Sequence, residues 1–256
     1  TTNFTYSWNK NEIRELAANA VNPVTGEALN LTKLDIKGLG KAKYILKEGG
    51  TLGDLYTTSN LRFNDNGYVE VDKNGNLLMT DEGEDIYLGS VFPNHNLAWR
   101  NDFSYKGINL GVLFTARLGG VCYSATQANL DLYGVSEASA AARDAGGVLI
   151  NGREMVDAQK WYQAIGSQSG LPQYYLYSAT NVRLQELSLG YTFPRKWFRN
   201  KLGLTVSFVG RNLWMIYCKA PFDPEAVAST GLNYQGIDYF MLPSTRNIGV
   251  NVKITF

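Results

Sequence analysis

The last twelve residues, 245–256 (TRNIGVNVKITF), alternate between two kinds of side chain. On one face of an extended strand Arg246 is followed only by apolar residues, and the series ends with Phe256. The other face carries only polar residues and Gly249. A strand in a soluble sandwich is compatible with this pattern, whereas a strand between lipid and a water-filled lumen requires it.

Five further segments alternate in the same way, each with one apolar face. They are residues 4–8, 97–105, 108–118, 187–193 and 204–208. The chain is also rich in glycine (26) and tyrosine (16), as β-rich, loop-rich proteins are. Six such segments predict an all-β protein with six strands.

The predicted connections fall into two length classes. Lys106-Gly107 and residues 194–201 are short turns, whereas roughly 9–96, 119–182 and 216–244 are far longer. Short and long connections alternate along the chain, so all short turns lie on one side and all long loops on the other. This sorting is typical of membrane-spanning antiparallel β-barrels of the outer membrane.

Aromatic residues mark the ends of the predicted strands. Trp197, Phe198 and Phe256 are expected at the inner membrane interface, and Trp8, Trp99 and Trp214 nearer the outer one. The same aromatics are compatible with the core of a soluble sandwich. Because the smallest transmembrane barrels need about eight strands, we expect sequence outside residues 1–256 to complete the barrel.

Composition excludes several classes of protein. The net charge of +1 provides no basic field for nucleic acid. No apolar run approaches the roughly 20 residues of a membrane-spanning helix. The first ten residues have neither an initiator Met nor the features of a signal peptide, so we expect a fragment or a mature piece. Cys122 and Cys218 are compatible with a disulfide or with two free thiols.

The sequence shows no catalytic constellation. His95 is the single histidine and lies in a turn-like PNHN segment. Nucleophile-elbow, zinc-protease and phosphate-loop motifs are absent from the sequence. Residues 72–76 (DKNGN) lack the spacing of a calcium loop and are better read as a hairpin turn. We therefore expect neither an enzyme nor a cofactor or metal site.

Several motifs follow one another at a familiar spacing. Residues 181–196 read NVRLQELSLGYTFPRK, 203–214 read GLTVSFVGRNLW, and 221–225 read PFDPE. Together with segments 53–76, 88–123, 148–166 and the closing strand 242–256, they resemble SusC/RagA-type TonB-dependent outer-membrane transporters. The likeness covers nearly the whole chain and corresponds to the carboxy-terminal part of the family's barrel.

The resemblance implies a barrel of about 22 strands with a plugged lumen. The plug and the earlier strands are not among residues 1–256, which would form one region of the barrel. The family implies a location in the outer membrane of a Bacteroidetes-type bacterium, energy from TonB at the plug, and a SusD-like surface lipoprotein over the outer loops. It also implies import of oligosaccharides or peptides as cargo.

Candidate ligand-binding residues are aromatic side chains of the long loops, because aromatic faces stack on sugar rings and peptide side chains. They are Tyr123, Trp161, Tyr162, Tyr175, Tyr217, Phe222, Tyr234 and Tyr239. Any one of them is alternatively explained by packing of the loops on one another. Arg117, on the inward face of a strand, is the charged candidate, and residues 136–164 are predicted to be partly helical.

Two other functions fit parts of the sequence. A soluble β-sandwich carbohydrate-binding module would use the aromatics as a sugar platform. A passive porin-like barrel would share the strand pattern but lack a plug.

Overall fold

The computed structural model of the chain describes residues 1–17, 20–29, 31–80, 83–231 and 234–256. Within these ranges the strands are, in chain order, β1 (Thr2–Trp8), β2 (Lys33–Leu39), β3 (Ala42–Lys47), β4 (Asp54–Thr57), β5 (Asn60–Leu61), β6 (Met79–Thr80), β7 (Ile86–Ser90), β8 (His95–Tyr105), β9 (Ile108–Leu118), β10 (Val121–Ser124), β11 (Val148–Ile150), β12 (Glu154–Val156), β13 (Leu176–Ser178), β14 (Asn181–Phe193), β15 (Gly203–Cys218), β16 (Ile237–Asp238) and β17 (Asn247–Thr255). The α-helices are α1 (Ala125–Leu132), α2 (Glu137–Asp144) and α3 (Ala158–Gly166), and 3₁₀ turns cover Pro172–Tyr175 and Arg195–Phe198.

The six predicted strands form one antiparallel sheet in the order β1-β8-β9-β14-β15-β17. Strands β8 and β9 match their predicted spans to within two residues. The predicted connections leave 183–193 and 202–214 for the next two strands; β14 begins two residues earlier, at Asn181, and β15 ends four residues later, at Cys218. Each strand pairs with the next long strand of the chain, as in an up-and-down barrel. The predicted all-β antiparallel fold is confirmed.

The register keeps the apolar side chains of neighbouring strands on one face. Val206 lies opposite Val252, Phe208 opposite Val250, and Leu189 opposite Phe208. The apolar residues of β17 remain exposed, at 57% for Val252. Polar residues pair on the other face, where Ser207 lies opposite Asn251 and Thr205 opposite Lys253. The sheet therefore has one apolar and one polar face, as the alternation in residues 245–256 predicts.

Two short connections lie at one end of the sheet. Lys106 (φ 48°) and Gly107 (φ 88°) form a two-residue turn between β8 and β9, and left-handed conformations at both positions are typical of such hairpins. Residues 194–202 join β14 to β15 through a 3₁₀ turn, with Trp197 exposed beside Phe193. Both short connections lie where the sequence predicts them.

The three long connections join at the other end of the sheet into one folded unit, which we call the cap. Its hydrophobic core includes Tyr44 and Leu55 from the first connection, Tyr123 and Tyr175 from the second, and Ile237 from the third. Within the described part of the chain, no residue of the six-stranded sheet belongs to this core. The loops are therefore folded structure, and the apolar face of the sheet lies outside their core.

The helices lie in the second connection. Helices α2 and α3 fall in the predicted helical region, and Asp157 caps α3 by accepting a hydrogen bond from the backbone N–H of Lys160. Val156, inside the region predicted to be partly helical, instead ends β12. Helix α1, capped by Ser124, is not predicted. Of the helices in the described ranges, none is long and apolar enough to cross a membrane.

Candidate functional site

Charged side chains cross the polar face of the sheet on three strands. Arg100 on β8 contacts Asp102 at 3.0 Å and Glu186 of β14 at 3.3 Å, and Arg211 of β15 contacts Glu186 at 3.0 Å. A Cβ at Gly111, on the intervening β9, would lie 3.0 Å from the Asp102 carboxylate. Glycine there therefore gives the charged side chains room to meet across β9. Their partial exposure keeps these pairs weak contributors to stability.

A second group of charges is buried where the third connection meets the sheet. Arg183 of β14 donates to both carboxylate oxygens of Asp223, at 2.9 and 3.2 Å. It also lies 3.1 Å from Glu225, while Ser244 donates to Asp223. The side chains of Arg183 and Asp223 are only 5% and 7% exposed. We call Arg183, Asp223, Glu225 and Ser244 the Arg183 cluster.

Irregular strand pairing positions this cluster. The β14–β15 ladder shifts register between Val182 and Arg183, and again between Leu184 and Glu186. Such bulges re-aim side chains. Asn212, at φ 52° in the bulged part of β15, lies 3.4 Å from Arg183 and donates to the carbonyl of Thr245. The cluster and its neighbours thus hold both ends of the third connection against the sheet.

Opposing effects act on the pKa of the Asp223 carboxyl. Burial favours the neutral acid, but hydrogen bonds from Arg183, Ser244 and the backbone N–H of Glu225 favour the carboxylate. The net result lowers the pKa of Asp223 below its ordinary value. The ion pair with Arg183 is therefore fully formed at neutral pH.

Arg117, the charged candidate from the sequence, lies near the cap end of β9. Its nearest carboxylate is Glu225, at 3.9 Å, and its side chain is 43% exposed. It lines a cavity of about 170 Å³ together with Phe92 and Pro93 of the first connection and Glu225 of the third. Arg117 therefore faces a space shared by the sheet and the cap.

Sequence and structure comparisons match the whole chain. TonB-dependent receptor P3 of Formosa agariphila is 24% identical over 282 residues, covering 98% of this chain and 26% of that protein. The solved structure of the RagAB peptide transporter aligns with 99% of the chain at a TM-score of 0.61 and 18% identity. The resemblance to SusC/RagA-type transporters is confirmed. The chain spans about a quarter, 26%, of these relatives.

The fold of the chain is also similar to a second solved state of RagAB. The RagAB peptide importer in its "open-open" state aligns with 99% of the chain at a TM-score of 0.58 and 16% identity, and the chain covers 26% of it. No protein-family model matches the chain.

The structure divides the eight aromatic candidates by exposure. Tyr123 and Tyr175 are buried in the cap core, where burial raises the pKa of Tyr123 to about 12. Trp161 and Tyr162 pack partly against that core, and Phe222 makes an edge-to-face contact with Tyr177. The candidates exposed by 42% or more are Tyr217, Tyr234 and Tyr239. Only these three and the part-exposed residues present a ring face to a ligand without unfolding the cap.

The aromatic candidates do not converge on one cavity. Tyr162 lines a cleft between the helices, whereas Tyr123 and Tyr239 line a narrow space of about 30 Å³ beside α1. The Arg183 cluster is absent from the sequence-based candidates, although the motifs 181–196 and 221–225 contain Arg183, Asp223 and Glu225. Forty residues separate Arg183 from Asp223, so no local spacing indicates their contact.

The cysteines and acidic residues that the structure describes form no metal site. Cys122 and Cys218 are free thiols, and burial raises the pKa of Cys122 to about 12. The carboxylate of Asp72 accepts hydrogen bonds from the backbone N–H groups of Asn74 and Asn76, which confirms the turn expected there. Among the described residues, no group of three possible ligands could hold a metal ion.

Proposed function

We propose that the chain is the carboxy-terminal region of an outer-membrane importer, forming part of its barrel wall and outer cap. The transporter would take up oligosaccharides or peptides, with energy supplied through TonB at a plug outside residues 1–256. A SusD-like surface lipoprotein would cover the cap. The outer membrane of a Bacteroidetes-type bacterium is the proposed location, supported by the Formosa relative.

One observation carries this proposal. The six-stranded sheet has an exposed apolar face, and the one hydrophobic core identified within the described ranges lies in the cap. In a soluble sandwich that apolar face would itself form the core. Large apolar surfaces that stay exposed on a folded sheet are suited to lipid. The sandwich alternative, a carbohydrate-binding module, is therefore disfavoured.

The polar face supports passage of a hydrophilic cargo. Arg100, Asp102, Glu186 and Arg211 form a partly solvated network with both charge signs, and Lys253 shares their face. A wall of mixed charge hydrates a polar solute without trapping ions of one sign. Direct cargo contact is proposed for the side chains that reach the surface: Arg117, Trp161, Tyr162, Tyr217, Phe222, Tyr234 and Tyr239.

The cap supports a gated rather than an open passage. Its three connections are folded around a common core and are held to the wall by the Arg183 cluster. A stable outer body provides a surface for a lipoprotein and a lid for cargo. The solved neighbour is named a peptide transporter and the curated relative a TonB-dependent receptor, which favours import over a passive porin and over an enzyme.

Uptake in cells tests the proposal. A strain lacking the gene is compared with its parent for uptake of fluorescent oligosaccharides and peptides, each with and without TonB. We expect uptake to need both the gene and TonB. Uptake that needs the gene but not TonB would favour the passive barrel, and a protein found in the soluble fraction would favour the sandwich.

A further inference from the structure

The three helices of the cap enclose a cleft of about 190 Å³. Its wall includes Asp131 at the end of α1, Tyr133 just after it, Arg143 of α2, and Gln159 and Tyr162 of α3. None of these residues belongs to the six-stranded sheet. The cleft is therefore a feature of the cap and is separate from the charged network of the wall.

Asp131 is a buried acid without a cationic partner. Its residue is 5% exposed, and the Gln127 side chain donates to its carboxylate at 3.0 Å. Within the described ranges, no ion pair involves Asp131. Its negative charge adds to burial in raising the pKa values of Tyr162 and Tyr177. Burial and the nearby Asp131 carboxylate raise the pKa of the Tyr175 hydroxyl. With Gln127 and Tyr175 beside it, Asp131 keeps about two of its roughly four acceptor positions unused.

Arg143 of α2 provides hydrogen-bond donors to the cleft. Its Nη1 donates to the carbonyl of Gly134 at 2.7 Å. A guanidinium has about five N–H donors, so about four are left for other acceptors. Gly134 is at φ 68°, and a Cβ there would lie 2.8 Å from Nη1 of Arg143. Glycine at this position therefore both ends α1 and allows the guanidinium to approach.

The charges and rings of the cleft select among ligand classes. One acid and one base make the cleft neutral overall, so a ligand that carries charge of only one sign would meet repulsion as well as attraction. A lone carboxylate is too few ligands for a metal ion. A sugar ring, by contrast, presents hydroxyl groups that both donate and accept, and an apolar face that packs on tyrosine. The space is smaller than the roughly 300–1,000 Å³ of drug-sized pockets, which fits a single ring.

We propose that this cleft binds one neutral pyranose ring of an extracellular glycan. Asp131 accepts from the sugar hydroxyls, Arg143 and Gln159 donate to them, and Tyr133 or Tyr162 packs on the ring face. The proposal does not depend on import, because a glycan can bind to the cap without passing through the lumen.

Saturation-transfer NMR on the intact, detergent-solubilised protein tests the site. The probes are the methyl pyranosides of glucose, galactose and mannose, about 13 non-hydrogen atoms each, for which a Kd on the order of 1 mM is expected. We expect Asp131→Asn and Gln159→Ala each to weaken binding about tenfold. Gln159 is exposed, so its replacement tests the cleft without threatening the fold.

The control is Tyr68→Ala, which removes an exposed tyrosine outside the cleft and should leave binding unchanged. Saturation transfer to none of the three pyranosides would overturn the proposal. So would equal binding by wild type and Gln159→Ala, or binding of a lysine-containing peptide in place of the sugars. If the sugars bind but uptake does not depend on TonB, the import proposal fails and this proposal stands.

Discussion

Replacing Val252 by arginine places a charge on the apolar face of the six-stranded sheet. Val252 lies in β17 opposite Val206 and is 57% exposed. Its neighbour Asn251 lies opposite Ser207 on the polar face. The pair Val252→Arg and Asn251→Arg thus adds the same side chain at adjacent positions but on opposite faces, and any difference between them reports which face meets lipid.

The expected loss of stability depends on how deep the substituted residue lies in the bilayer. Strand β17 covers nine residues, Asn247–Thr255, and Val252 is one residue from its middle. Transmembrane β-strands need about 9–11 residues, so β17 would place Val252 near the bilayer midplane in the proposed barrel wall. Arginine on the lipid face at the midplane costs about 2–4 kcal/mol, which is roughly a 30- to 700-fold change in the folding equilibrium. Asn251→Arg adds a charge to the polar face, which already carries Lys253, and should cost about 0–1 kcal/mol of stability.

Two measurements check this difference. The amount of folded protein in the outer membrane is compared for wild type and both variants, and urea unfolding in lipid vesicles gives the stabilities. We expect Val252→Arg to be scarce and less stable, and Asn251→Arg to resemble wild type. Equal stability of the two variants, or a larger loss for Asn251→Arg, would refute the assignment of the faces.

Three further outcomes are expected. Arg183→Met leaves Asp223 buried without its cation and should cost about 3–5 kcal/mol, seen as faster hydrogen exchange across residues 219–246. Because the folded pKa of Asp223 is lowered, its contribution to stability is full above the ordinary pKa of about 3.9. Exchange protection of 219–246 should therefore persist at pH 5 and decline as the pH falls below about 4. Gly107→Ala would hold an alanine at φ 88°, with its Cβ 2.7 Å from the Thr192 carbonyl oxygen, and should lower the urea concentration at the midpoint of unfolding. The control Gly249→Ala places its Cβ in open space and should leave that midpoint unchanged.

The sheet follows from local sequence because a strand between lipid and water must alternate. Each residue of 247–255 contributes the same period-two signal, and the Lys106-Gly107 turn fixes the pairing of β8 with β9. The bulges in β14 and β15 break the alternation near Arg183. Alternation alone therefore recovers only 187–193 and 204–208, although the predicted connections already leave longer strands at 183–193 and 202–214.

The cap is less predictable, since its strands are short and each is supported by distant partners. Tyr44 of β3 donates to the carbonyl of Gln235, and β10 pairs with β16 in parallel across more than a hundred residues. Loop aromatics have the same composition whether they are buried or exposed. Sequence alone therefore does not separate Tyr175, in the core, from Tyr239, at the surface.

The third connection couples the cap to the wall. Asp223 and Ser244 of this connection are bound in the Arg183 cluster, while Ile237, between them in sequence, is fully buried in the cap core. Lifting the cap from the sheet would separate this buried ion pair or withdraw a buried isoleucine from the cap core. We therefore infer that sheet and cap move as one body. In the proposed importer, opening would then occur between this body and other parts of the protein.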